Sequence, residues 1–212
     1  MKADPRLVIL AAGASERLGE PKALARIGTR SVLEHLVGAW PGAEPALVLT
    51  GRHAREIEAE LPGRSVALEH PDWALGRTGV LAAAAAAHPE RDFLVAPADC
   101  PLIPRSVFAG LLHHWLTLGS PPLGYLSPFV VTEPGKQRFG HPLVIGKDLL
   151  KQLQGWSPDR PLRDLRALAR PLEALRVQDS AILDDLDSPQ NLADLRLRVT
   201  ERPSGGPGFE PK

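Results

Sequence analysis

The sequence predicts a single α/β domain with a mainly parallel sheet flanked by helices. Three observations predict it. The 212 residues suit one such domain and leave little room for a second. Short apolar runs alternate with segments of helical periodicity, the pattern of repeated strand–helix units. The residues with the most chemical potential follow directly on strand ends, where open sheets of this kind bind their ligands.

Each element has its own signal. Arg6–Ala11 is a short apolar run and reads as the first, buried strand. Ser31–Trp40 places Val32, Leu33, Leu36 and Val37 on one helical face, with Ser31 as N-cap. Ala46–Thr50 reads as a strand, His53–Leu61 as a helix and Ser65–Glu69 as a short strand. Thr78–His88 is an Ala-rich helix suited to tight packing. Phe93–Ala96 is another buried strand, ending at Pro97-Ala98-Asp99. Arg105–Leu118 follows as a helix, and Tyr125–Thr132 and Pro142–Ile145 as strands. Asp148–Leu153, Leu162–Ala169 and Gln190–Val199 read as helices. The domain is expected to span residues 1–200. The Pro- and Gly-rich stretch 201–212 is expected to be a disordered tail.

Composition narrows the function classes. Hydrophobic residues make up 43% of the chain, enough for a sizeable core. Lys plus Arg equals Asp plus Glu, 25 each, which argues against a nucleic-acid footprint while leaving room for a local basic pocket. The single cysteine, Cys100, excludes an internal disulfide framework and a multi-Cys metal site. It reads as a small buried filler, because nothing around it in sequence would stabilise a thiolate. No apolar run approaches ~20 residues, so no membrane span is expected, and a cytoplasmic location is the default.

The densest chemistry lies in Leu10-Ala11-Ala12-Gly13-Ala14-Ser15-Glu16-Arg17-Leu18-Gly19-Glu20-Pro21-Lys22. Small residues after a strand let backbone N–H groups approach phosphate oxygens. Arg17 and Lys22 can neutralise the charge on those oxygens. The spacing matches neither GxxxxGK[ST] nor GxGxxG. Taken singly, each of these residues reads as part of an ordinary turn or as a surface cation. Asp99 directly follows a buried strand, where a carboxylate is costly unless solvated, paired or bound to metal; alone it is equally a turn residue. Asp184, Asp185 and Asp187 precede the last helix, where clustered acids and a Ser188 or Asp187 cap are common.

Together these segments resemble the MobA-like nucleotidyltransferases, and among them most of all the molybdenum cofactor cytidylyltransferases. The opening loop is similar to the family's LAAG-x-S-x-R-[LM]-G-x-P-K pattern, Asp99-Cys100-Pro101-Leu102 to its D-x-P-L, and Asp185-Leu186-Asp187-Ser188-Pro189 to its D-[IL]-D-[TS]-P. His70-Pro71-Asp72-Trp73 through Leu81 resembles N-P-x-W-x-x-G-x-x-x-S-L, with His70 in place of Asn and Val80 in place of Ser. Gly140-His141-Pro142 resembles the family's G-H-P. Asp159 and Arg163 keep the spacing of G-D-x-G-A-R, whose two glycines are replaced by Pro158 and Pro161. The resemblance runs in order from about residue 6 to residue 195.

The resemblance implies the Rossmann-like fold of nucleotide-diphospho-sugar transferases and transfer of a nucleoside monophosphate with release of pyrophosphate. It implies nucleotide binding by Leu10, Ala11, Ala12, Gly13, Ser15, Lys22, Gly76 and Gly79, with Arg17 and Lys22 catalytic. It implies Mg²⁺ on Asp99 and Asp187, with Asp185 as the substitute for the latter. Gly140, His141, Pro142, Asp159 and Arg163 fall on the acceptor side. The implied acceptor is phosphorylated, with molybdopterin favoured, and that acceptor implies a client molybdoenzyme as partner. Guanylyl-transferring relatives usually carry L-A-G-G, so Ala12 favours CTP as donor; L-A-A-G also occurs in sugar-phosphate and polyol-phosphate nucleotidyltransferases, so the loop does not decide the base. The rival readings are transfer to a sugar or alditol phosphate, and a non-catalytic nucleotide- or cofactor-binding accessory protein.

Overall fold

The structure, a computed structural model, describes residues 4–201 apart from the side chains of Leu75 and Glu201. Residues 202–212, most of the expected tail, lie outside the described residues. The strands are β1 (Arg6–Leu10), β2 (Arg26–Ile27), β3 (Arg30–Ser31), β4 (Ala46–Thr50), β5 (Ser65–Glu69), β6 (Phe93–Pro97), β7 (Tyr125–Glu133), β8 (Lys136–Phe139), β9 (Leu143–Ile145) and β10 (Leu172–Arg176). The α-helices are α1 (Val32–Ala39), α2 (Ala54–Ala59), α3 (Arg77–Ala87), α4 (Arg105–Thr117), α5 (Lys147–Lys151) and α6 (Pro189–Glu201).

The main sheet runs in the order β5-β4-β1-β6-β9-β7-β10, with β8 folded back onto β7. Pairing is parallel from β5 through β6 and again between β7 and β10. Within this sheet the described antiparallel pairings are those of β9, between β6 and β7, and of the β7–β8 hairpin; β2 and β3 form a separate antiparallel pair. The mainly parallel sheet expected from the alternation is therefore present. From β1, the chain reaches β4 and β5 on one side and β6 on the other, which opens a crevice at the carboxyl ends of β1 and β6. The register places Leu10 beside Pro97, so the loops after both strands leave the same edge.

Alternation along the buried strands builds two cores. Leu7, Ile9, Leu94 and Ala96 face Leu33, Leu36, Phe108 and Trp115 on one side of the sheet. Val8, Phe93 and Val95 face Leu81, Leu149 and Leu153 on the other. Each such fully buried large side chain contributes about 1.5–3 kcal/mol of transfer free energy. Trp115 also donates its indole N–H to Asp92 Oδ2 at 2.9 Å, and Asp92 Oδ1 accepts the Lys147 N–H at 2.9 Å. One carboxylate thus ties α4 to α5 across the bottom of the sheet. Ser31 caps α1 as the sequence predicts. Its Oγ accepts the Glu34 N–H at 3.2 Å, and Glu34 Oε2 accepts the Ser31 N–H at 2.6 Å, a reciprocal capping box.

Several features depart from the sequence reading, among them the short antiparallel pair β2–β3, for which no strand was expected. The expected helix Leu162–Ala169 is a run of 3₁₀ turns over Leu162–Ala167 in which only Leu165 is buried; one buried contact does not sustain a longer α-helix. Asp148–Leu153 is the single α-helical turn α5 followed by 3₁₀ turns over Gln152–Gly155. Strand β8 was not expected, because all four of its residues are exposed and it carries no apolar alternation. Strand β10 was also not expected. It lies at the sheet edge and leaves Leu172 48% exposed, so its backbone pairing with β7 decides its conformation.

Gly140 is required by packing. A Cβ there would lie 2.1 Å from the Ile182 carbonyl oxygen, a backbone atom that cannot swing away. Gly140→Ala is expected to destabilise the fold by about 1–3 kcal/mol, the usual cost of overpacking. Chemical denaturation would show it, and an unchanged midpoint would contradict this packing.

Candidate active site

The loop after β1 folds back over the sheet edge. Ala98 donates its N–H to the Leu10 carbonyl at 3.1 Å, and Ala11 donates to Leu49 O at 2.9 Å. Ser15 adopts a left-handed φ of 54°, and its hydroxyl accepts the Lys22 N–H at 3.1 Å. This bond closes the loop on itself and aims Lys22 inward. A Cβ at Gly13 would meet no protein atom within 4 Å, and its φ is not left-handed. Neither the packing nor the backbone requires a glycine there, and the space beside it is open.

Lys22 is the centre of the site. Its Nζ donates to Asp99 Oδ1 at 2.9 Å and also to Asp187 Oδ1. Arg17 pairs with Asp187 Oδ2, and Arg77 with Asp99 Oδ2 at 2.8 Å. Burial alone would lower the Lys22 pKa, but its bonds to Asp187 and Asp99 outweigh that and raise it above 10.5. The hydrogen bond from Lys22, partly opposed by burial and reinforced by Arg17, holds Asp187 below the usual 3.8. Asp99 arrives from the end of β6. Asp187 arrives from the turn before α6, which the Leu186 N–H pins to Asp99 O at 2.9 Å. Ser188 accepts the Asn191 N–H at 3.2 Å, so capping and site geometry coexist as the sequence suggested.

Asp99, Asp185 and Asp187 each present an oxygen, and these oxygens lie within 4.8 Å of one another. Three carboxylate oxygens, with no sulfur or imidazole in the set, suit a hard divalent cation such as Mg²⁺ or Mn²⁺. Asp187 and its substitute Asp185 are therefore both within reach of such an ion. Cys100 is buried, as expected: burial, followed by the charge of Asp99, pushes its thiol far up, and the thiol donates to Asp184 O at 2.9 Å.

Arg17, Lys22, Arg77, Asp99 and Asp187 line one side of a cleft of about 540 Å³. Leu10, Ala11, Ala12, Gly13, Ser15 and Gly76 all border it. Val80, in place of the expected serine, forms part of its apolar wall and is buried. His53, which the sequence reading passed over, stands at the same cleft with its ring between Ala14 O and Glu56. Gly79 is not at the cleft surface. It packs under Pro158, whose Cβ lies 3.2 Å from where a Gly79 Cβ would be. Gly76 needs its φ of 117° and also touches the Pro158 carbonyl. Pro158, which replaces a glycine of the resembled pattern, thus rests on the start of α3.

A second cleft of about 510 Å³ adjoins the first. Gly140, His141, Asp159 and Arg163 line it, and Pro142 is buried behind His141. Its floor is apolar, from Val95, Leu143 and Ile145. Its rim carries Arg160, Arg163 and Arg166. Arg160 stacks over Trp156 at 3.7 Å, and Arg166 lies 5.2 Å from the centre of the Phe139 ring. Burial, reinforced by Arg77 and opposed by Asp99, pushes His141 down to about 4. The imidazole is therefore neutral at pH 7, and its Nδ1 is buried with no hydrogen-bond partner among the described residues.

The comparisons with known proteins fit this arrangement. Residues 7–177 match the MobA-like NTP transferase domain. The chain belongs to the MobA-like NTP transferase family. This MobA-like chain is 29% identical over 107 residues to a molybdenum cofactor guanylyltransferase of Shewanella sp. (strain MR-4), a match covering 50% of the chain and 53% of that protein. It thus spans about half the length of that relative. Its fold is similar to that of Rv0371c from Mycobacterium tuberculosis H37Rv, solved in complex with manganese, with a TM-score of 0.68 and 21% identity, covering 92% of this chain and 99% of that one. It is similar as well to 2-C-methyl-D-erythritol 4-phosphate cytidylyltransferase from Thermus thermophilus, with a TM-score of 0.69 and 19% identity over 93% and 99% of the two chains. The architecture is shared with these solved structures, and by family the chain carries an NTP transferase domain.

Proposed function

We propose that this protein transfers a nucleoside monophosphate, CMP by preference, from its triphosphate to a phosphorylated acceptor, molybdopterin or its molybdenum-loaded form, and releases pyrophosphate. The observation that carries the reading is the meeting of Lys22, Arg17, Asp99 and Asp187 on one wall of a cleft that opens into a second, arginine-rimmed one. In this reading the loop 10–15 cradles the triphosphate with its backbone N–H groups, and Arg17 and Lys22 neutralise it. Asp99 and Asp187 hold Mg²⁺, which when bound supplies charge neutralisation at the reacting phosphate. A phosphate oxygen of the acceptor attacks the α-phosphorus, the bond to the β-phosphate oxygen breaks, and pyrophosphate leaves with the electron pair. Such transfer needs alignment and charge stabilisation more than a covalent protein intermediate.

The acceptor assignment is supported by the second cleft. A flat, partly apolar ring system suits its floor, and an anionic group suits its rim. His141 borders this cleft as a neutral imidazole and adds a polar edge to it. The Shewanella relative's guanylyltransferase name favours a second donor, GTP, against the cytidylyl preference suggested by Ala12. The reading carries with it a cytoplasmic location and delivery of the product to a molybdoenzyme. Among the described residues no helix is long and apolar enough to cross a membrane.

The test is pyrophosphate release with Mg²⁺ and each of CTP, GTP, ATP and UTP, with and without molybdopterin. Acceptor-dependent release from CTP above the others is the expected result. Release from GTP above CTP would replace the donor. Release only with a sugar or alditol phosphate would replace the acceptor. Binding without release under all these conditions would make the chain a non-catalytic accessory protein.

A further inference from the structure

Leu10, Gly76, Arg77 and Pro97 border both clefts, and of these four only Arg77 is charged. It stands where the two sites meet, yet its guanidinium is engaged by Asp99 Oδ2 at 2.8 Å. The other Asp99 oxygen is engaged by Lys22. Both oxygens of Asp99 are thus engaged by protein cations, and a divalent ion that takes Asp99 competes with them for the same negative charge. Lys22 is the harder to move: its side chain is 16% exposed and is held by Asp187 as well. Arg77 is 66% exposed, and an ion pair so exposed is weak.

We propose that Arg77 competes with a divalent cation for Asp99 and, once released, engages a phosphate oxygen of the acceptor at the junction of the two clefts. The acceptor part rests on the donor and acceptor reading given above. The guanidinium fork matches a phosphate in a way that an ammonium does not. Anchored at the first residue of α3, it stays beside both clefts after letting go of Asp99. The device couples the two sites: the carboxylate is kept paired until an ion arrives, and the cation is handed to the acceptor side only then.

The test measures Mn²⁺ binding to the full-length protein without nucleotide or acceptor, for wild type, Arg77→Gln and Arg77→Lys. Removing a competing cation is expected to tighten Mn²⁺ binding about two- to fivefold in Arg77→Gln, the range set by an exposed pair. Arg77→Lys keeps a competing charge and is expected to stay nearer wild type. Steady-state kinetics then separate the substrates. Arg77→Gln is expected to lower kcat/KM for the acceptor about tenfold or more while KM for the nucleotide changes less than about twofold, with partial recovery in Arg77→Lys. A purely structural role would weaken ion binding and activity together. Unchanged or weaker Mn²⁺ binding in Arg77→Gln overturns the proposal, as does a defect confined to the nucleotide KM. If the wild type releases no pyrophosphate with any nucleotide, the proposed function has failed. The Mn²⁺ measurement then still decides whether Arg77 guards Asp99.

Discussion

Lys22→Ala is expected to lower turnover by on the order of 10²-fold or more, the usual result of removing one preorganised charge from a reacting phosphate. The structure explains why no neighbour can take over. Among the described residues Lys22 alone bonds to both Asp99 and Asp187, and the Ser15 hydroxyl holds its backbone in place. Arg17 is 75% exposed and Arg77 66%, so neither is held at that point by its surroundings. Those two arginines still pair with the carboxylates, so the variant is expected to fold. A single-turnover measurement at saturating nucleotide, alongside circular dichroism, checks both statements; near wild-type turnover in a folded variant would remove Lys22 from the chemistry. The same cluster sets a pH window. Asp187 is held below 3.8, so its stabilising contribution is present above about pH 4 and is lost as pH falls through its lower folded value. Lys22 is raised above 10.5, so its contribution is present below that value and is lost as pH rises through the raised one. His141, at about 4, stays neutral from weakly acidic pH upward. None of these three groups is therefore expected to produce a rate change between about pH 6 and pH 9.

Asp99→Asn should abolish nearly as much activity, again on the order of 10²-fold, by a different route. The amide keeps the shape of the side chain but loses the charge that a hard cation requires. Weaker Mn²⁺ binding is expected to accompany the loss. That separates this variant from Lys22→Ala, in which removing a cation beside the carboxylates should leave ion binding intact or tighter. Electron paramagnetic resonance of Mn²⁺ titrated into each variant reads the difference directly. Undiminished ion binding in Asp99→Asn would exclude Asp99 as a ligand.

Much of this arrangement is legible in the chain itself. The loop 10–22, Asp99 and Asp187 are separated by long stretches of chain, yet each follows or precedes an element whose boundaries are written in local pattern. The capping box of Ser31 and Glu34 is equally local. Arg77 escapes a sequence reading because an arginine beside a glycine at a helix start reads as a surface cation. The one available signal is its position directly after Gly76, in a segment that the family resemblance places near the nucleotide. The nucleotide role that the same resemblance implies for Gly79 finds no place at the cleft surface, because Gly79 packs under Pro158. Strands β8 and β10 escape because edge and hairpin strands gain their order from backbone pairing, which leaves no apolar period in the sequence.

The sequence by itself determined the alternation of the central strands and helices, the family resemblance and the residues proposed to hold a triphosphate and a divalent ion. Those features depend on local periodicity and on spacing along the chain. Only the tertiary structure decided that Lys22 sits between Asp99 and Asp187, that Asp185 lies within the same cluster, and that Arg77 stands between two clefts. These are distances between atoms far apart in sequence, set by the register of β1 against β6 and by the packing of α3 and α6 around the sheet edge.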